Sequence, residues 1–93
     1  MKISNAEVKT ASAVSYMKQL CRHWAHRFPV EFDEAHGTIE LSQAKCILHA
    51  GPETLGVRLE MPEDADQERM ERVVAEHLQR FGFREVLVFE WVR

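Results

Sequence analysis

A chain of 93 residues, 45% hydrophobic and 29% charged, can build one modest core and has no room for a second domain. Its net charge of −3 is unevenly spread, with five Lys/Arg against one acid in residues 1–28 and seven against fourteen in residues 29–93. An acidic body with one basic segment argues against general nucleic-acid binding and leaves room for a local anion site.

Ala6–Thr10 reads as a short strand. Ser12 is a suitable N-cap, and Ala13–Arg27 follows as a helix that Pro29 stops by driving Phe28 out of helical geometry. Val30 and Phe32 alternate with Glu31 and Asp33, and after the turn Glu34-Ala35-His36-Gly37 the segment Thr38–Leu41 alternates again, the pattern of a hairpin. A turn at Ser42-Gln43 leads into a strand over Ala44–Ala50, and Gly51-Pro52-Glu53 leads into another carrying Leu55, Val57, Leu59 and Met61. Pro62–Asp64 opens a second helix running to about Arg80, with Met70, Val73, Val74, His77, Leu78 and Phe81 as its apolar stripe and Gly82 as its stop. Val86–Val92 is apolar on both faces, which predicts a central strand with Leu87, Phe89 and Trp91 toward the helices.

The expected fold is α+β, a single domain over 1–93 in the order β-α-β-β-β-β-α-β. It is a two-layer sandwich: a mainly antiparallel sheet with two helices on one face. The other face would carry Glu31, Asp33, Thr38, Glu40, Lys45, His49, Arg58 and Glu60, partly open to water. No apolar run approaches the ~18 residues of a membrane span. The start MKISNAEVKTAS lacks the apolar centre of a secretory signal, so a cytoplasmic location is expected. The two cysteines, Cys21 and Cys46, are then free buried thiols.

The densest chemistry lies in LCRHWAHRFPVEF, Leu20–Phe32. Cys21, His23 and His26 invite a metal reading, but helical geometry turns His23 roughly 160° and His26 roughly 140° away from Cys21. Cys21 belongs to the core stripe with Val14, Met17, Trp24, Ala25 and Phe28, so the three cannot converge on one ion. His23 and His26 share the outer face, Tyr16 and Gln19 extend it backwards, and Arg22 and Arg27 flank it. These six residues are the candidate ligand-binding set. The face is a solvated basic surface, a site for an anionic small molecule, or a metal site at His23 and His26 completed by His36, Glu31 or Asp33. His49 is expected on the open sheet face and His77 as a satisfied core histidine. No phosphate loop, Cys-x-x-Cys pair or nucleophile elbow is present, and no catalytic residue is assigned.

The run Tyr16-x-x-Gln19-Leu20-Cys21-Arg22-His23-Trp24-Ala25-His26-Arg27, then Pro29-Val30-Glu31-Phe32-Asp33 and Gly37-x-Ile39, resembles the bacterial family catalogued as domain of unknown function 2218. The tail His77-Leu78-x-Arg80-Phe81-x-Phe83-Arg84-Glu85 is similar to the end of that family. The resemblance implies a small bacterial domain with the two-layer arrangement of TATA-binding-protein-like domains, and a link to iron or siderophore metabolism. The expected role is a non-enzymatic binding or accessory protein for an anionic ligand, a metal complex or an acidic protein partner. The cofactor is unassigned. A metal-dependent enzyme using His23 and His26, and a structural dimerisation module acting as monomer or homodimer, are the alternatives.

Overall fold

The computed structural model describes residues 1–93. Five strands and two helices follow in the order β1 (Lys2–Lys9), α1 (Ala13–Trp24), β2 (Val30–Phe32), β3 (His36–Glu40), β4 (Lys45–Ala50), β5 (Thr54–Met61) and α2 (Gln67–Phe81). The strands form one antiparallel sheet in the order β1-β5-β4-β3-β2. The α+β two-layer arrangement with both helices on one face is therefore the observed one.

Alternation sets the two faces. Along β5, Leu55, Val57, Leu59 and Met61 are buried under the helices, while Thr54, Gly56, Arg58 and Glu60 look the other way. The registers Cys46↔Leu59 and Leu48↔Val57 carry this through β4, and Ile39↔Cys46 through β3. α1 lies over β2–β5 and α2 over β1 and β5. The close seat of α1 on β3 depends on Gly37, where a Cβ would meet the Cys21 Sγ at 2.9 Å.

Several boundaries differ from expectation for local reasons. β1 starts earlier, at Lys2, because it pairs with β5 along its whole length. Ser12 holds the N-cap position without a side-chain cap; its own amide donates to Thr10 Oγ1 at 3.1 Å. α1 ends at Trp24, and Arg27 and Phe28 both donate to the Trp24 carbonyl in a tightened last turn. α2 starts at Gln67, not in Pro62–Asp64, because the Asp66 side chain accepts from the Arg69 amide and caps it there.

The predicted final strand is not formed. After a turn at 82–85, residues 86–93 run as an extended tail whose one sheet contact is the Asn5↔Val92 bridge, so the observed order ends β-α. The Gln79 side chain donates to the Gly82 and Glu85 carbonyls, which holds the turn before the tail, and accepts from the Leu87 amide, so that one amide of the predicted strand is engaged outside any ladder. Leu87 is buried and Phe89 and Trp91 pack on the core, as the alternation implies, but Val86, Val88 and Val92 are open to solvent. The tail is fastened at its end by Arg93, which donates to both oxygens of the buried Glu71 carboxylate.

Candidate functional site

Six side chains of α1 and its last turn were expected to share one outer face, and the structure distributes them over three sides. Tyr16 is buried, not part of an open face, because the 82–87 turn covers it: its hydroxyl donates to Glu85, and a Cβ on Gly82 would sit 3.0 Å from its ring. That hydrogen bond, then burial, then the Glu85 charge push the Tyr16 phenol above its usual range. Gln19 donates to Ser15 one turn back. Arg22 turns to the opposite flank, over the Phe32 ring at 5.9 Å. His26 is exposed in the turn after α1.

His23 and Arg27 lie instead on the side of α1 that meets α2. The His23 ring is 5.4 Å from His77 and 6.0 Å from Phe81, and Trp24 is 4.8 Å from His77 and 6.5 Å from Phe28. His77 is a satisfied histidine: its Nδ1 donates to the Val73 carbonyl at 2.7 Å. A carbonyl only accepts, so Nδ1 carries the proton and Nε2 keeps a lone pair when the ring is neutral.

At the lower end of this seam, α1, α2 and the β3–β4 loop enclose a groove of about 360 Å³. Trp24, Phe28, His77 and the apolar Leu41, Met70 and Val73 line it, with Ser42 and Gln43 from the loop. Arg27 and Arg69 line it from the two helices, and no carboxylate does. The Arg27 guanidinium lies over the Phe28 ring at 5.8 Å. Neither Arg27 nor Arg69 enters an ion pair. A hollow of about 460 Å³ on the opposite sheet face is built differently, with Glu7, Glu90 and His49 beside Arg58 and no Trp, Phe or Tyr.

Metal chemistry at α1 has no geometric basis. Cys21 is fully buried against Gly37, while His23 is exposed beside His77 and Phe81 and His26 is exposed in the turn after α1. His36, Glu31 and Asp33 lie together around the β2–β3 turn, which borders a separate surface hollow that neither His23 nor His26 lines. Nowhere do three His, Cys, Asp or Glu side chains group so as to hold an ion. The thiols are inert by setting: burial pushes Cys21 up to about 11, and burial together with the Cys21 charge pushes Cys46 to about 12.

A family model described as an uncharacterized protein conserved in bacteria, DUF2218, matches residues 5–92. The chain belongs to the DUF2218 family. An NMR structure of PA4090 from Pseudomonas aeruginosa is similar, at 37% identity over 99% of this chain and 96% of that one, with a TM-score of 0.82. No relative is found among curated proteins. No helix of this DUF2218 protein is long and apolar enough to cross a membrane.

Of the ten residues that line the groove of the DUF2218 chain, only Arg27 belongs to the sequence-derived set; Trp24, Gln43, Arg69 and His77 are among the nine outside it. Arg69 does carry a legible signal. Arg72 and Arg80 each have a glutamate four residues before them, whereas Arg69 has Ala65 and Val73 at its i±4 positions, and Asp66 at i−3 is engaged in capping the Arg69 amide.

Proposed function

We propose that this protein is a non-enzymatic binding or accessory domain, acting in the cytoplasm, that takes a small anionic molecule with a planar ring into the groove at the end of the α1–α2 seam. The observation that carries this reading is the pair Arg27 and Arg69, unpaired with any acid, above a floor of Trp24, Phe28 and His77. Guanidinium groups bind carboxylate and phosphate through forked hydrogen bonds. Aromatic walls stack on a planar ligand, and Ser42, Gln43 and the His77 Nε2 add neutral donors and acceptors. The volume is at the small end of ligand pockets, which favours a one-ring ligand. The link to iron or siderophore metabolism that the family resemblance implies makes a catechol carboxylate the first ligand to try. The metal-enzyme alternative lacks a third ligand for His23 and His26.

Trp24 reports on the groove directly. In a Trp91→Phe background, titration with 2,3-dihydroxybenzoate, benzoate and inorganic phosphate should quench Trp24 emission for the aromatic acids first. Arg27→Gln and Arg69→Gln should each weaken binding by about tenfold or more. Equal binding in both variants, or no saturable quenching by any of the three, would remove the reading. The dimerisation alternative is favoured by Phe83, Val86, Val88 and Val92, all exposed along the tail. Sedimentation of wild type against Val86→Ser/Val88→Ser decides it.

A further inference from the structure

On the sheet face away from the helices, His36 in β3 stands directly across from His49 in β4, and both are exposed. Antiparallel partners alternate between pairs that exchange backbone hydrogen bonds and pairs that do not, and the second kind brings side chains closer. The same register continues one step to Ala35 and Ala50, where the Ala50 amide donates to the Ala35 carbonyl at 2.7 Å. His36 and His49 therefore occupy a non-hydrogen-bonded position. Their ring centroids are 4.6 Å apart with planes inclined at 61°.

That spacing has a chemical meaning. An ion bound through one nitrogen of each ring lies ~2.0–2.1 Å from the nitrogen and so ~3.2 Å from each centroid. Two centroids on one ion then stand ~4.5 Å apart when the angle at the metal is near 90°, and ~5.2 Å apart when it is tetrahedral. The observed 4.6 Å fits the right-angled case. Adjacent positions of a tetragonal or octahedral site suit Cu²⁺ and Ni²⁺ better than Zn²⁺.

Two carboxylates surround the pair. Asp33 Oδ1 is 3.8 Å from His36 Nδ1 and accepts the Ala35 and His36 amides at 2.8 Å each. With that carboxylate at ion-pair distance on the Nδ1 side, Nε2 is the His36 nitrogen left to bind an ion. On the other side, His49 pairs with Gly56 and Gly56 with Glu7. Because Gly56 has no side chain, Glu7 Oε1 reaches within 3.5 Å of the point its Cβ would occupy, adding negative charge to the row.

We propose that His36 and His49 form a cross-strand clamp for a divalent transition-metal ion, Cu²⁺ or Ni²⁺ before Zn²⁺, with water in the remaining positions. Two protein ligands make a weaker site than the four of a structural zinc centre. The clamp lies on the opposite layer from the α1–α2 groove, so either can fail without the other.

The test uses tag-free full-length protein titrated with CuCl₂, NiCl₂ and ZnCl₂ by calorimetry, with amide spectra recorded as Cu²⁺ is added. One Cu²⁺ should bind per chain, and paramagnetic broadening should strike residues around 36 and 49 first. His36→Gln and His49→Gln should each weaken binding by at least about tenfold, while His23→Gln and His77→Gln leave it unchanged. Binding retained in both clamp variants, tighter binding of Zn²⁺ than of Cu²⁺, or no saturation by about 1 mM would overturn the assignment. Should a variant fail to fold, the broadening map of the wild type decides alone: first loss of signal at Met1, His23 or His77 also overturns it.

Discussion

Truncating Arg93 to alanine tests whether the tail is held by a buried charge. Glu71 is 5% exposed, and its carboxylate accepts from Ser4 Oγ at 2.6 Å and from Arg93 at 3.1 and 2.9 Å. Burial alone would push the Glu71 carboxyl up, but hydrogen bonds from Arg93 and Ser4 and the guanidinium charge outweigh it and hold the group below its usual range. Arg93→Ala removes most of that compensation, so burial wins and the Glu71 pKa rises above the usual value. Hydrogen bonds to a charged group contribute ~1.5–3 kcal/mol, and the half-exposed guanidinium is screened by solvent. The expected loss at neutral pH is about 1–2 kcal/mol, or roughly 5–12 °C in Tm for a chain of this size. The pH dependence gives the sharper test. In the native protein the depressed folded pKa contributes stability that is present above the unfolded value and lost as pH falls through the folded one. In Arg93→Ala the folded pKa is raised, so stability declines as pH rises through about 4.3 toward that raised value. Urea unfolding at stepped pH should show the two proteins close together near pH 3 and separating toward pH 7. A gap that stays constant over that range would refute the reasoning. Arg93→Lys, which keeps the charge and loses the fork, should fall between them.

Gly37→Ala should cost about 1–3 kcal/mol by chemical denaturation, because its Cβ would press on the Cys21 Sγ at 2.9 Å; adding Cys21→Ala should recover part of the loss. Both thiols should resist a disulfide reagent until the chain unfolds, given their burial and pKa values pushed up to about 11 and about 12. Labelling of Cys21 or Cys46 at native stability would contradict that placement. Tyr16 is the single tyrosine, so its ionisation can be followed by ultraviolet absorbance, and it should occur above the ordinary value and move down in Glu85→Gln. Its raised pKa contributes stability that is full below ~10 and lost as pH rises through the folded value.

The sheet is legible in the sequence wherever one face is buried and the other wet. TLGVRLEM alternates without a break, and β5 carries both the longest pairing and the cleanest pattern. The same rule misleads in Val86–Val92. Apolar residues on both faces usually mean a strand covered on both sides, yet here one side is covered and the other is open. At its start the run is also tied back to α2: Gln79, eight residues upstream, accepts from the Leu87 amide and donates to the carbonyls of the preceding turn. Nothing in the local sequence reports that capture, because it depends on where α2 ends relative to the tail.

The site is harder to read for a related reason. A linear cluster such as Cys21-Arg22-His23-Trp24-Ala25-His26-Arg27 shows which groups are near in sequence, and a helix then spreads them around its axis. The thiol goes to the core, Arg22 to Phe32, and only His23, Trp24 and Arg27 meet α2. The other half of the groove comes from residues 41–43 and 69–77, joined to the first half only by folding. The cluster thus contributes Trp24 and Arg27 to the groove, and its two histidines do not line it. The close imidazole pair on the sheet face, His36 with His49, is separated by twelve residues of turn and strand and becomes visible only once the β3–β4 register is known. The α1–α2 groove carries two guanidiniums without an acid partner, and the sheet face carries the close imidazole pair with Asp33 and Glu7 near it. On the two proposals, a chain with a net charge of −3 would hold an anion and a cation at once, with the sheet and its buried core between them.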